Sequence, residues 1–415
     1  MKFLFNIKFI LFTALFLRLL AVIFFGDRKF DYEFDVLVKN IINGNGYSYW
    51  SVDSLGVLSN TFNNNASIYL PSGYMPIFYP LFLSFFAFFL GVSQSSILAI
   101  LFIQSILGTL NCYIIYRLYM VKYGSQEPLL VWFCALFPLH IFMSSQISAS
   151  NVYVFLISLV ILYYYKFLIN QSWKNLIILS ISLPLLALSR ADAILIIPAI
   201  IFMLLFFHKG LSRQKILSIL LISILILSPM SLRNYDKFGF YYPHTISGGL
   251  NLWLGNNPDA TGSRMNYVVP YKPFPEKILN QIENLKITNS YEVDLDNIYK
   301  EDAKIFMAEN PLQVIQLSIK KIIFFWVHIY DSRINYPGLN NFLYWAPWII
   351  LFPFFILSTL SAISNWRDND LEIFLIFYFS AVYSFFFVLP RYRLIVFPIY
   401  FLFSFYYLKT NKIIK

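Results

Sequence analysis

The segment Lys8-Phe-Ile-Leu-Phe-Thr-Ala-Leu-Phe-Leu-Arg-Leu-Leu-Ala-Val-Ile-Phe-Phe25-Gly26-Asp27-Arg28-Lys29-Phe30-Asp31-Tyr32-Glu33 changes character at Gly26, where an apolar run gives way to dense charge. Lys2 and Lys8 precede the run, and no small-x-small cleavage site follows it. It therefore reads as a first transmembrane helix, residues 1–25, with its N-terminus inside, rather than as a removed leader. A span needs about 20 apolar residues. Working outward, further runs of that kind fall at roughly 74–91, 96–117, 129–147, 151–168, 174–189, 191–207, 216–232, 342–363, 371–389 and 393–408.

Composition agrees. The 415 residues are 59% hydrophobic, 20% aromatic and 13% charged, with a mean hydropathy of +0.64. Soluble domains carry about 25% charged residues. This excludes a soluble enzyme, a disordered chain and a nucleic-acid-binding domain, and leaves an all-α polytopic membrane protein of about 10–12 transmembrane helices. Cys112 and Cys134 lie inside apolar runs with no metal-ligand spacing and read as small buried hydrophobes.

The +10 net charge is read through its distribution. His208-Lys209-Gly-Leu-Ser-Arg213-Gln-Lys215 and Lys409-Thr-Asn-Lys412-Ile-Ile-Lys415 mark cytoplasmic loops, with weaker support from Lys166–Lys174 and Arg117–Lys122. The predicted organisation is a first helix (1–25), an outer catalytic loop with a juxtamembrane helix (26–73), a transmembrane bundle (74–232), an outer loop with an interfacial helix (233–341) and C-terminal helices (342–415). Fifteen of the 21 acids fall in 26–73 and 233–312. Counting spans from either terminus gives opposite parity at 74–128, so one segment there must be broken or re-entrant, or the Arg117–Lys122 marker misleads. In 311–326, Lys320 and Lys321 would each cost about 2.5–3.5 kcal/mol at mid-bilayer. An interfacial helix with both lysines snorkelling to the headgroups is predicted instead.

In the first outer loop Phe34, Leu37, Val38 and Ile41 recur at helical spacing, and Gly44 and Gly46 end the pattern. Asp31 stands at the N-terminal end of this amphipathic helix, where the helix dipole favours an ionised carboxylate. By residue type it suits either a helix cap or a base at the membrane boundary.

The order of a membrane helix, Asp31-x-x-aromatic and then Phe34-x-x-Leu37-x-x-Asn40-Ile41-x-x-Gly44-x-Gly46-Tyr47 resembles the polyprenyl-phosphate-sugar-dependent glycosyltransferases of the GT-C fold. The likeness is greatest to the branch of protein mannosyltransferases, lipid A aminoarabinose transferases and related lipopolysaccharide sugar transferases. Colinear segments agree: Tyr74-Met-Pro-Ile-Phe-Tyr79-Pro80, Gln104-Ser-Ile-Leu-Gly108, Leu188-Ser-Arg190-Ala-Asp192, Pro229-Met-Ser-Leu-Arg233-Asn234-Tyr235, the run Gly248-Gly249-Leu-Asn251-Leu-Trp-Leu-Gly255-Asn256-Asn257-Pro258 continuing to Gly262, and Arg391-Tyr392-Arg393-Leu394. Ser150-Asn151 departs from the Ser-Glu of many relatives. A second acidic role there is lost or moved, with Asp192 as a candidate substitute.

The resemblance implies transfer of a sugar, with inversion, from a polyprenyl-phosphate donor to an acceptor hydroxyl on the outer face of the cytoplasmic membrane. The acceptor would be a lipid, a glycan or a protein. Asp31 matches the catalytic acidic position, with Glu33 and then Asp27 as runners-up. Arg190, Arg391 and Arg393, at outer turns, are candidates for the donor phosphate, with anchoring to lipid headgroups as the other reading of each. Arg233, Asn234, Tyr235, Asn251, Asn256, Asn257, Tyr74 and Tyr79 are candidates for the substrate cavity, and for the asparagines plain loop chemistry is the alternative. No cofactor is certain from the sequence, and a divalent cation is possible. A divalent cation is a weak candidate, resting on His244 alone without a second ligand at metal spacing. Competing classes are an O-antigen polymerase or ligase, which would not predict the acidic pair after helix 1, and a flippase or transporter, which would place charges in mid-membrane.

Overall fold

Inside a bilayer a chain must close its own backbone hydrogen bonds, so each apolar run becomes a helix. The computed structural model describes residues 6–30, 32–243, 245–262, 274–327 and 341–414. Its helices are α1 (Ile7–Phe25), α2 (Tyr32–Ile42), α3 (Phe78–Leu90), α4 (Gln94–Tyr123), α5 (Pro128–Leu136), α6 (Pro138–Phe142), α7 (Ser150–Ile169), α8 (Trp173–Ser189), α9 (Ile196–Phe206), α10 (Arg213–Phe238), α11 (Gly248–Gly255), α12 (Glu276–Glu283), α13 (Tyr291–Glu309), α14 (Pro311–Val327), α15 (Asn341–Ser364), α16 (Asp370–Phe385) and α17 (Phe397–Thr410). Among the described residues five helices are long and apolar enough to cross a membrane: α1, α4, α7, α10 and the Ala346–Ser364 part of α15. The pair α5–α6 is apolar enough when taken together but bends by 65°, and α3, α8 and α9 are shorter apolar helices. The chain is an integral, multi-pass membrane protein.

Contacts between helices sort their ends. At one end Phe9 meets Trp132 edge-on, Tyr123 stacks on Tyr406 at 4.1 Å, Lys409 pairs with Glu127, and Lys122 pairs with Glu372 at 2.6 Å. This basic end also holds His208, 2.8 Å from Asp370. At the opposite end the Asp27 N–H donates to the Ser145 carbonyl, Gln104 Nε2 donates to the Gln146 carbonyl, and Arg190 donates to the Tyr383 hydroxyl.

These contacts resolve the parity problem. A Cβ on Gly26, at the end of α1, would lie 3.2 Å from Leu101, and Arg18 reaches Cys112, so α4 runs antiparallel to α1 and ends at the basic end. Arg117–Lys122 therefore lies at the same end as His208 and Lys409. The segment that does not cross is α3. Its Tyr79 hydroxyl donates to Gln104, its last turn is closed by Gly91 at φ 71°, and α4 begins three residues later. Its 13 residues span about 20 Å, and it doubles back against the first turns of α4.

The break in α5–α6 follows from Pro138, which cannot donate to the Cys134 carbonyl. His140 Nδ1 sits 3.1 Å from that oxygen and 3.0 Å from Arg18 Nη2, and Asn111 approaches His140 Nε2. Both cysteines are buried, as their apolar surroundings suggested.

The first loop folds back as α2 and a three-stranded antiparallel sheet, with β1 (Ser48–Val52) between β2 (Leu58–Ser59) and β3 (Ile68–Pro71). Helices α11–α13 make a second small core in which Trp253 is fully buried against Phe274 and Tyr299. Helix α14 forms where the interfacial helix was predicted, with one correction. Lys320 is exposed, but Lys321 is fully buried and points into the protein rather than to headgroups.

Candidate active site

Helix α2 is held from beneath. Val36 and Leu37 are buried with Tyr49, which stacks on Tyr74 at 5.3 Å, and Phe34 packs edge-on against Tyr79 at 5.2 Å. Tyr79 is fully buried, and its hydroxyl is spent on Gln104. Tyr74 and Tyr79 thus support the helix. Glu33 and Asp35 stand in the first turn of α2, and Asp35 is paired with Lys39 at 2.7 Å. The Asp27 carboxylate accepts from the Ile147 N–H at 2.6 Å, tying the exit of α1 to the α6–α7 turn. Asn151, buried at the start of α7, donates to the Gln104 carbonyl and to Ser144. Asp31 and His244 lie outside the described residues.

The predicted arginines share that end of the bundle but differ in environment. Arg190 forms an ion pair with Asp192 at 2.8 Å, donates to the Tyr383 hydroxyl at 2.5 Å, and has its guanidinium 5.2 Å from the Tyr153 ring and 4.9 Å from the Tyr392 ring. Asp192 also accepts from Tyr383, and its carbonyl accepts from Tyr378. Arg393 is fully buried and donates to the Phe324 and Trp326 carbonyls at 3.1 and 3.2 Å, satisfying the carbonyl end of α14. Arg391, two residues earlier on the same turn, is partly exposed and makes no ion pair among the described residues.

Arg233 donates to the backbone carbonyls of Ser72 (2.6 Å) and Tyr47 (3.0 Å), clamping the first loop to the end of α10. Asn234 accepts from Arg233 and donates to the Tyr242 carbonyl, while Tyr235 is half exposed and stacks on Tyr241. On the far side of the loop, Glu292 Oε2 accepts from the Gly73 N–H (2.7 Å) and the Ser72 hydroxyl (3.1 Å). Burial lifts its carboxyl to about 7.

The asparagines of the Gly248–Gly262 run turn inward. Asn251 donates to the Ser247 carbonyl and Asn257 to the Trp253 carbonyl. Asn256 donates to the Leu252 and Phe385 carbonyls and accepts from Lys321. Sequence reasoning missed Glu292 and Lys321. The only signal for Lys321 was an adjacent lysine pair in an apolar helix, which also fits snorkelling. Among the described residues no group of three His, Cys, Asp or Glu converges as a metal site.

The chain has the GT-C fold. Residues 75–232 match the family described as dolichyl-phosphate-mannose-protein mannosyltransferase. Among solved structures it is similar to the archaeal oligosaccharyltransferase AglB from Archaeoglobus fulgidus in complex with an inhibitory peptide and a dolichol-phosphate. Identity there is 15%, over 97% of this chain and 50% of that one, with a TM-score of 0.53. The same enzyme in complex with Zn and sulfate gives 15% identity, 98% and 49% coverage, and a TM-score of 0.51. The chain spans about half the length of these AglB chains. ArnT from Cupriavidus metallidurans in the apo state gives 10% identity, 94% and 76% coverage, and a TM-score of 0.41. No curated protein matches the sequence.

Proposed function

We propose that the protein is an inverting glycosyltransferase that moves a sugar from a polyprenyl-phosphate donor to an acceptor hydroxyl at the outer face of the cytoplasmic membrane. The observation that carries this reading is the contrast among the turn arginines. Arg190 is neutralised by Asp192 and Arg393 is consumed by helix carbonyls, whereas Arg391 is partly exposed and has no ionic partner among the described residues. It stands at the end of the bundle where α2 begins. A partly exposed guanidinium at the membrane boundary suits an anionic lipid headgroup such as a polyprenyl phosphate. The dolichol-phosphate bound to AglB lends support by analogy.

In this reading Asp31, or Glu33 two residues on, removes the acceptor's proton as its oxygen forms a bond to the anomeric carbon. The carbon–oxygen bond to phosphate breaks on the opposite side, and Arg391 meets the charge that grows on the leaving phosphate. Arg233 and Asn234 shape the loop above. The test uses purified protein in lipid nanodiscs with a panel of radiolabelled polyprenyl-phosphate sugars and membrane acceptors. Wild type releases sugar from at least one donor, and Asp31→Asn lowers kcat by about 100-fold or more, within the range of general base catalysis. No release from any donor overturns the transferase reading. Full activity in Asp31→Asn overturns the choice of base.

A further inference from the structure

The buried ammonium of Lys321 lies beside the arginine turn, and none of the chemistry above uses it. Among the described residues no carboxylate pairs with it. It donates instead to Asn256 Oδ1 at 3.0 Å and to the Phe385 carbonyl at 3.1 Å. Leaving a buried charge without a counter-ion is costly, so its place needs a reason. Phe385 is the last residue of α16, where a cation is favoured by the helix dipole. It is also the helix end from which the turn that carries Arg391 departs.

The neighbouring contacts all hold the same short segment. Asn256 Nδ2 donates to the Phe385 carbonyl at 2.7 Å. A Cβ on Gly255 would lie 2.7 Å from the Phe387 nitrogen, so the 386–387 backbone rests directly on that glycine. The Val388 N–H donates to the Gly262 carbonyl at 3.1 Å. At the far side of the turn Arg393 binds the Phe324 and Trp326 carbonyls of α14, the helix that carries Lys321. Between these two anchors Tyr392 packs against Phe387 and Tyr383 and lies under the Arg190 guanidinium.

We infer that Lys321 is a positioning residue for the donor phosphate: through Asn256 and the Phe385 carbonyl it sets the 386–393 turn that presents Arg391. The Gly-Asn-Asn-Pro run is then the seat of the arginine turn. This rests on the proposed donor chemistry, and the experiment separates the two.

The probe is undecaprenyl phosphate, titrated into full-length protein in nanodiscs, with melting temperature recorded for every variant. Lys321→Met is expected to weaken binding at least tenfold, as Arg391→Ala does. The double variant should be no weaker than the poorer single, because both changes act on one contact. Lys321→Arg, which keeps the charge and the donors, should stay within about threefold of wild type. Asn256→Ala offers a second route if Lys321→Met does not fold, and it should weaken binding in the same direction. A Lys321→Met variant that melts lower but binds within twofold of wild type makes the lysine merely structural and overturns the inference, as does a double variant whose losses multiply. Wild type that does not bind undecaprenyl phosphate overturns the donor reading and this inference together.

Discussion

Glu292 shows how one residue can report on the junction between the first loop and the outer helices. Its carboxyl is raised to about 7, first by burial and then by the charge of Asp296, against the Gly73 N–H, the Ser72 hydroxyl and Arg233. In the unfolded chain it would ionise near its ordinary value of about 4.3. Between these values the folded form holds a proton that the unfolded form has released. Its contribution is therefore complete at acid pH and is lost as pH rises through about 7. Glu292→Gln keeps an acceptor for Gly73 and Ser72 without the buried charge. The expected result is a higher melting temperature than wild type at pH 8 and no difference at pH 5, read by thermal unfolding of both proteins across pH 4.5–8.5. Equal destabilisation at both pH values would show that the carboxylate is ionised and paired. Lys321 and Glu292 escaped the sequence for one reason: whether a single charged side chain faces water or the interior depends on a partner far along the chain. Here that partner is Asn256 for Lys321 and Ser72–Gly73 for Glu292.

At the scale of elements, the apolar runs were legible because helical hydropathy is local. All the runs reappear as helices, α2 lies where its periodicity placed it, and Gly44 and Gly46, both at positive φ, close it. The run at 74–91 was legible as apolar, but neither its contraction to the 13 residues of α3 nor its reversal was, since the reversal rests on Tyr79 meeting Gln104. The sheet of Ser48–Val52 with two brief partners gave no alternating pattern strong enough to read. The glycine-rich run was legible as a motif, whereas its use depends on packing. Asp296 accepts from the Gly249 and Leu250 N–H groups and so caps the start of α11 from α13, though burial raises its carboxyl. A Cβ on Gly249 would sit 2.1 Å from the Asp296 carbonyl oxygen, while one on Gly248 would meet nothing within 4 Å. Gly249→Ala should therefore detach α11 from α13 and expose residues 276–309 to limited proteolysis, while the membrane bundle stays resistant. Gly248→Ala should behave as wild type. Equal protection of the two variants would show that the α11–α13 contact does not hold the outer helices.

At the scale of the whole molecule, charge and topology become one statement. The basic end holds Lys122, His208 and Lys409, and its buried acids Asp370 and Glu372 are matched by His208 and Lys122. The opposite end gathers the long loops, most of the acids and the arginine turn. With α3 turning back at the loop end, α1, α4, the bent α5–α6 pair, α7, α8, α9, α10, α15, α16 and α17 alternate in direction, and the start of α1 and the end of α17 both lie at the basic end. We propose that the basic end faces the cytoplasm, because an excess of lysine and arginine is retained on that side. Its test needs reporters on exposed residues, and Asn256 is unsuitable because it is buried beneath Lys321. Leu55, 86% exposed in the first loop, and Asn411, exposed after α17, are suitable. The native Cys112 and Cys134 are fully buried and give a low background. In intact cells a membrane-impermeant maleimide should label Leu55→Cys at once and Asn411→Cys only after permeabilisation. The reverse pattern would place the arginine turn in the cytoplasm. The donor phosphate would then have to be met on that side, and the outer-face assignment would fail even with the fold and the Arg391 contact intact.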